Sequence, residues 1–183
     1  MELVTELIPQ DIETIKEMAK NARGYVDTIF LHWSAGHYGQ VYDDYHITID
    51  HDGRIYCPEN CHDLTVFREH TWRRNSRSIG VCVAGCYNAC ANSGYNLTMG
   101  TEPVTQAQIE VMAIVVACLC KYADIKDVYT HCEIALKDGY GPFQGDPETR
   151  WDLWYVPDTD GTMKPGGDVI RGKAIWYLNN YKL

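Results

Sequence analysis

Two stretches decide the fold: DTIFLHW at residues 27–33 and SIGVCVA at residues 78–84. Each is a short run of apolar, β-branched and aromatic residues with no alternation. A half-solvated strand alternates, so each run reads as a strand covered on both faces. Residues 45–50 do alternate, His51-Asp52-Gly53 supplies a turn, and residues 54–57 continue the pattern, which predicts a hairpin. A helix is expected over about residues 9–21, with Ile12, Ile15, Met18 and Ala19 on one face and Pro9 near its first turn. A second helix is expected over residues 105–122. There Thr105 and Gln108 match a capping box, and the interior is apolar nearly all round. Residues 128–130 form a short strand leading into His131. A last helix starts at Asp168 and turns Ile170, Ala174, Tyr177 and Leu178 inward. The order α-β-β-β-β-α-β-α predicts an α/β domain with a single mixed β-sheet flanked by helices.

The chain of 183 residues has room for one domain with a substantial core. A hydrophobic fraction of 45% with 22% charged residues excludes a disordered chain. The net charge of −9 argues against a general nucleic-acid binder, which needs a basic face. No run approaches the roughly 20 apolar residues of a membrane span. The first residues, MELVTELIPQDIETIKEM, are acidic and amphipathic and lack the basic start and apolar run of a signal peptide.

Eight cysteines are too few for a disulfide scaffold. Cys82, Cys118, Cys120 and Cys132 sit in apolar runs and read as small core residues. Cys57/Cys61 and Cys86/Cys90 form two C-x3-C pairs in loop-like sequence, compatible with free thiols, local disulfides or a structural zinc.

His32 near the end of one buried strand and His131 just past another are placed to face one cleft, since ligand sites in α/β sheets favour strand ends. Each is also read as a satisfied core histidine. Asp146 follows in the Gly- and Pro-rich segment, where a carboxylate before proline also serves as a turn residue. The whole stretch 133–167, rich in Gly, Pro, Asp and Trp, is expected to be irregular and functional. Arg68, Arg73, Arg74 and Arg77 form a basic island around His70 and Trp72 in an otherwise acidic chain.

Taken in order, LHWSAG, YHITIDHDGRIY, HTWRRNSRSIGVCVAG, THCEIA and GDPETRWDLW resemble the type 2 zinc N-acetylmuramoyl-L-alanine amidases. That superfamily includes the peptidoglycan recognition proteins and lysozyme-like amidases of bacteriophages. The resemblance covers about residues 27–154 and implies one amidase domain over residues 1–183. It implies zinc held by His32, His131 and Asp146, with Tyr45 beside the reacting water. Two imidazoles and one carboxylate leave a fourth tetrahedral position open, as catalytic zinc requires. Many members carry a lysine two residues before the third ligand. Here that position is Gln144, a neutral donor for an oxyanion.

The resemblance assigns His70 to the cleft. The arginine island (Arg73, Arg74 and Arg77, with Trp72 and Asn75) is assigned to the stem peptide, whose carboxylates suit guanidinium forks. Glu133 is expected to order the loop after His131. The expected substrate is peptidoglycan, cleaved between the lactyl group and L-alanine by a lytic, endolysin-like monomer with no nucleic-acid or membrane partner. With no signal peptide, such a protein is made in the cytoplasm and reaches the wall by holin-type or other non-classical release. The competing classes are a peptidoglycan-binding module without catalysis and an interaction protein whose paired cysteines hold a structural metal.

Overall fold

In a computed structural model, which describes residues 1–58, 63–92, 96–141 and 151–181, the two decisive runs lie side by side. Strands β1 (Pro9–Gln10), β2 (Thr28–Trp33), β3 (Ile47–Ile49), β4 (Ile55–Tyr56), β5 (Ser78–Val83) and β8 (Asp127–Thr130) form one sheet in the order β1-β4-β3-β5-β2-β8. β2 pairs in parallel with both β5 and β8, and β3 joins β5 in parallel. The β3–β4 hairpin and β1 supply the antiparallel edge. The sheet is mixed, as expected.

Alternation along β2 and β5 divides the sheet into two faces. Ile29, Leu31, Trp33, Ile79, Val81 and Val83 join the core with residues of helices α1 (Ile12–Ala22), α2 (Gln106–Ala123) and α4 (Gly166–Asn180). Phe30, His32, Ser78, Gly80 and Cys82 alternate with them and carry the opposite face. That second face is covered by the 63–78 loop and by α3 (His131–Lys137).

Several boundaries differ from expectation. α1 begins at Ile12, because the Asp11 carboxylate accepts from Thr14 N at 2.8 Å and caps the helix. Pro9 instead pairs with Tyr56 in β1, at the sheet edge where proline is tolerated. α2 carries the expected box: Thr105 accepts from Gln108 N, and the Gln108 side chain returns to Thr105 N. It is the one helix among the described residues long and apolar enough to cross a membrane, but it lies between α1 and α4 with most of that surface buried.

α3 follows β8 directly within the stretch expected to be irregular. That stretch also holds the β9–β10 hairpin (Tyr155–Pro157, Met163–Pro165). A second small hairpin joins β6 (Cys90–Asn92) and β7 (Asn96–Thr98). α4 starts at Gly166, two residues earlier than expected. It buries Ile170 and Ala174 but leaves Leu178 exposed, because Tyr177 takes the place against α2 and donates its hydroxyl to Glu110 at 2.9 Å. Cys82, Cys118 and Cys132 are buried, and Cys120 is half-buried. Cys86, expected in a loop, is a fully buried, unbridged thiol whose pKa burial pushes up to about 12. Cys61 lies outside the described residues.

Candidate metal centre

The parallel pairing of β2 with β8 places the two histidines together. The ladder runs to Leu31↔Thr130, so the next residues on each chain, His32 and His131, are lateral neighbours. Their ring centroids are 4.8 Å apart. His131 is the first residue of α3, and Thr130 caps that helix by accepting from Glu133 N at 3.2 Å. The Glu133 carboxylate returns to Thr130 N at 2.8 Å and takes a two-pronged ion pair from Arg171 of α4 at 2.7 and 2.8 Å. Gly167 lies close beneath this clamp: an added Cβ comes 2.4 Å from Glu133 Oε1, so a side chain there would push the Glu133–Arg171 pair aside. Glu133 therefore orders the chain around His131, the role its position suggested.

The third member is Asp152. Trp151 and Leu153 are buried in the core, Trp151 edge-on to Trp33 at 5.0 Å, so the side chain between them is turned toward the histidines. Leu153 holds a left-handed φ of 57°, a conformation sustained only where packing dictates it. Asp152 Oδ2 lies 2.9 Å from His32 Nδ1. Oδ1 lies 3.0 Å from His131 Nδ1, but off the hydrogen-bonding direction, and it has no donor although buried. We take this contact as electrostatic: an orphaned buried carboxylate oxygen facing an imidazole nitrogen is what a shared cation satisfies.

The donor atoms of His32, His131 and Asp152 all lie within 4.8 Å of one another, close enough for one ion with bonds of about 2.0–2.2 Å. Burial pushes the Asp152 carboxyl up, but the two imidazoles more than offset this and hold it below the usual carboxylate range. Burial lowers the His32 pKa, so the ring is held neutral, the form that ligates metal. The donor set fits zinc.

His32 uses its other nitrogen as well: Nε2 lies 3.2 Å from Thr71 Oγ1. Thr71 Oγ1 is also 3.0 Å from His70 Nδ1, and His70 Nε2 is 3.4 Å from Ser78 Oγ. His70 packs against β5 at Gly80, where an added Cβ comes 2.6 Å from the ring. Its ring borders the cleft, but both nitrogens face Thr71 and Ser78. Tyr45 sits across from His32 at 5.2 Å between ring centroids. Burial raises its phenol well above 10, so it stays protonated and acts as a donor.

These groups open on a cleft of about 330 Å³, lined by Tyr45, His70, His131 and Asp152 with Trp33 and Trp151 as apolar wall. That volume lies at the lower end of small-molecule sites. In β5, Val81 and Val83 belong to the core, and Cys82 faces the site beside Tyr45.

The arginine island divides. Arg77 pairs with Asp27 at 2.9 Å near the opposite end of β2 from His32. Arg74 makes a two-pronged pair with Asp138 at the end of α3, and Arg68 donates to the Asp43 carbonyl. Arg73 lies over the Trp72 ring at 4.2 Å, and Trp72 packs edge-on against Tyr140 at 4.8 Å. Asn75 accepts from Thr71 N at 2.7 Å and holds that loop. Arg74, Trp72 and Asn75 thus fix the wall formed by residues 70–78 against α3, and Arg77 stands apart from the cleft. Asp146 and Gln144 lie outside the described residues. Asp152 and Thr71 were missed in the sequence. For Asp152 a signal exists, a single carboxylate between two large apolar residues in WDLW. For Thr71 there is none.

The family model for N-acetylmuramoyl-L-alanine amidase matches residues 16–147. No curated protein sequence matches the chain. Among solved structures, it is similar to the N-acetylmuramoyl-L-alanine amidase LysC from Clostridium intestinale URNW, with 18% identity over 73% of this chain and 80% of that one, at a TM-score of 0.45. The endolysin amidase LysCS of the same organism gives 17% identity over 73% and 78%, at 0.43. PGRP-Hd from Alvinella pompejana gives 19% over 70% and 78%, at 0.40. By the family match, which spans most of its length, the chain belongs to the N-acetylmuramoyl-L-alanine amidases.

Proposed function

We propose that the chain is a zinc-dependent amidase of peptidoglycan, cleaving between the lactyl group of N-acetylmuramic acid and L-alanine as a lytic, endolysin-like enzyme. One observation carries the zinc reading: buried His32 and Asp152 and half-buried His131 bring their donor atoms together at a cleft lined by His131, Asp152 and Tyr45. A bound zinc supplies a Lewis acid and lowers the pKa of coordinated water toward 7.

The protein's own contributions are distinct. His32 and His131 present Nδ1 from a rigid strand end and a capped helix start, so little reorganisation is needed. Trp33 and Trp151 form an apolar wall on one side of the cleft. The Tyr45 hydroxyl, held protonated, donates to the oxygen on which negative charge develops.

Two carboxylates compete for the third position. Asp152 is the donor that the geometry supplies, and Asp146 is the one that the family pattern supplies. Both together with two imidazoles would fill a tetrahedral shell and leave no open position. Zinc counted per chain in Asp152→Asn and Asp146→Asn assigns the ligand: the true one loses zinc, the other keeps it. His131→Ala is expected to lose zinc in either case, and full occupancy in that variant would remove the metal reading. The activity is tested by digesting purified peptidoglycan with and without chelator. New alanine amino termini, appearing only with metal, are expected. Wall binding without cleavage would make the chain a recognition module.

A further inference from the structure

The hydroxyl of Thr71 joins two buried histidines. Thr71 is 2% exposed, and its Oγ1 lies 3.2 Å from His32 Nε2 and 3.0 Å from His70 Nδ1. The chain continues through His70 Nε2 to Ser78 Oγ at 3.4 Å and from Ser78 Oγ to the Arg74 carbonyl at 3.0 Å. A hydroxyl has one proton to donate, and a neutral imidazole has one donor and one acceptor nitrogen. Thr71 Oγ1 has two lone pairs and can accept from both rings, but its own buried proton then has no acceptor in the chain, so the arrangements that use that proton run in one of two directions.

With a proton on His32 Nδ1, donated to Asp152 Oδ2 at 2.9 Å, Nε2 must accept from Thr71. Thr71 then accepts from His70 Nδ1–H, and His70 Nε2 needs the Ser78 proton. Ser78 has only one, so either His70 Nε2 or the Arg74 carbonyl goes without. When His32 Nδ1 holds a metal, the ring proton sits on Nε2, and the arrangement that uses every donor and acceptor reverses every direction. His32 donates to Thr71, Thr71 to His70 Nδ1, His70 Nε2–H to Ser78, and Ser78 to the Arg74 carbonyl. All four contacts are then satisfied.

We propose that Thr71 is a positioning residue of the metal centre, whose hydroxyl ties occupation of His32 Nδ1 to the tautomer of His70. The inference rests on the reading of His32 as a metal ligand. Protons balance across the change. One leaves His32 Nδ1 to solvent, one passes along each link, and one is taken up from solvent at Ser78, so both rings stay neutral throughout. Burial keeps His70 well below its ordinary pKa, which fits a ring that exchanges tautomers and does not gain charge. Fixing the remote nitrogen of a ligating histidine sets ring orientation and ligand basicity, and losing such a partner typically costs about 10–100-fold in metal affinity.

The test reads ring nitrogens by ¹⁵N-labelled histidine NMR on the full chain, stripped with chelator and then titrated with zinc. In wild type, His70 is expected to change from the Nδ1–H to the Nε2–H pattern as one equivalent of zinc binds. Thr71→Val keeps the volume and removes the hydroxyl. It is expected to bind zinc about 10–100-fold more weakly, with a His70 pattern that no longer responds, and Thr71→Ser is expected to restore both. The same His70 tautomer in stripped and loaded wild type overturns the proposal and leaves the zinc reading intact. Wild-type affinity in Thr71→Val also overturns it. Failure of wild type to bind zinc overturns the metal reading and this proposal together. The wild-type comparison needs no variant to fold.

Discussion

At the residue scale, Tyr45 and Asp152 show how burial sets chemical roles. A phenol this buried titrates well above 10, so across the neutral range it donates and never serves as a base. Tyr45→Phe is therefore expected to keep the fold and one zinc per chain. It should lose about 10²-fold in turnover on peptidoglycan, the usual loss for one donor to a developing oxyanion. Turnover equal to wild type reduces Tyr45 to a packing residue against His32. Gln144, if it donates to the same oxygen, adds a smaller term because it is neutral. Gln144→Ala should then lower turnover with zinc unchanged, and Gln144→Lys should hold or raise it. His32 and His131 were legible in the sequence because strand ends are predictable from apolar runs, and Tyr45 was named only through the family resemblance. Asp152 was not, because its place depends on Trp151 and Leu153 being drawn into the core on either side, a tertiary event with no local periodicity.

Among the elements, the junction of β8, α3 and α4 carries the site. α3 is only seven residues long, too short for periodicity to reveal, although Glu, Ala, Leu and Lys in it are good helix formers. The signal was nevertheless present: Thr130 and Glu133 form the same box as Thr105 and Gln108, which did mark α2. β2, β5 and α2 were readable because each is a continuous apolar run long enough to state its own period. Glu133 combines two functions that substitution separates. Glutamine at that position still completes a capping box but brings no charge to Arg171. The ion pair is about one-third exposed, so solvent screens it and its share is modest. Glu133→Ala is expected to cost about 1–2 kcal/mol in denaturant unfolding and Glu133→Gln about half of that. Zinc affinity should fall in the same order as His131 loses its support. If the two variants are equally stable, the cap contributes nothing beyond the pair.

For the whole molecule, the sheet divides its labour by face: α1, α2, α4 and the apolar core on one side, buried histidines on the other. Three of these, His32, His46 and His70, have pKa values lowered chiefly by burial, so the fold holds a layer of neutral imidazoles that acid must charge. His46 gives the cleanest reading, because it stands outside the metal centre and both its nitrogens are used. Nε2 donates to the Val66 carbonyl at 2.8 Å, and Nδ1 accepts from Gly80 N at 3.0 Å, pinning the β3 approach to β5. Its pKa is lowered from 6.5 to about 4. Below pH 6.5 the unfolded chain takes up a proton that the folded ring refuses. The stability His46 contributes is thus full above 6.5 and lost as pH falls toward 4. At about 1.4 kcal/mol per unit, the loss is at most about 3 kcal/mol. His32 and His70 act with the same sign, whereas Asp152, with its carboxyl held low, destabilises only at more acid pH. Unfolding free energy measured from pH 7 to 4.5 is therefore expected to fall steeply in wild type. His46→Gln, which offers an amide in place of the ring, is expected to start lower at pH 7 and to flatten the slope. A variant slope as steep as wild type would assign the acid sensitivity to the other histidines and leave His46 a passive hydrogen-bonding strut.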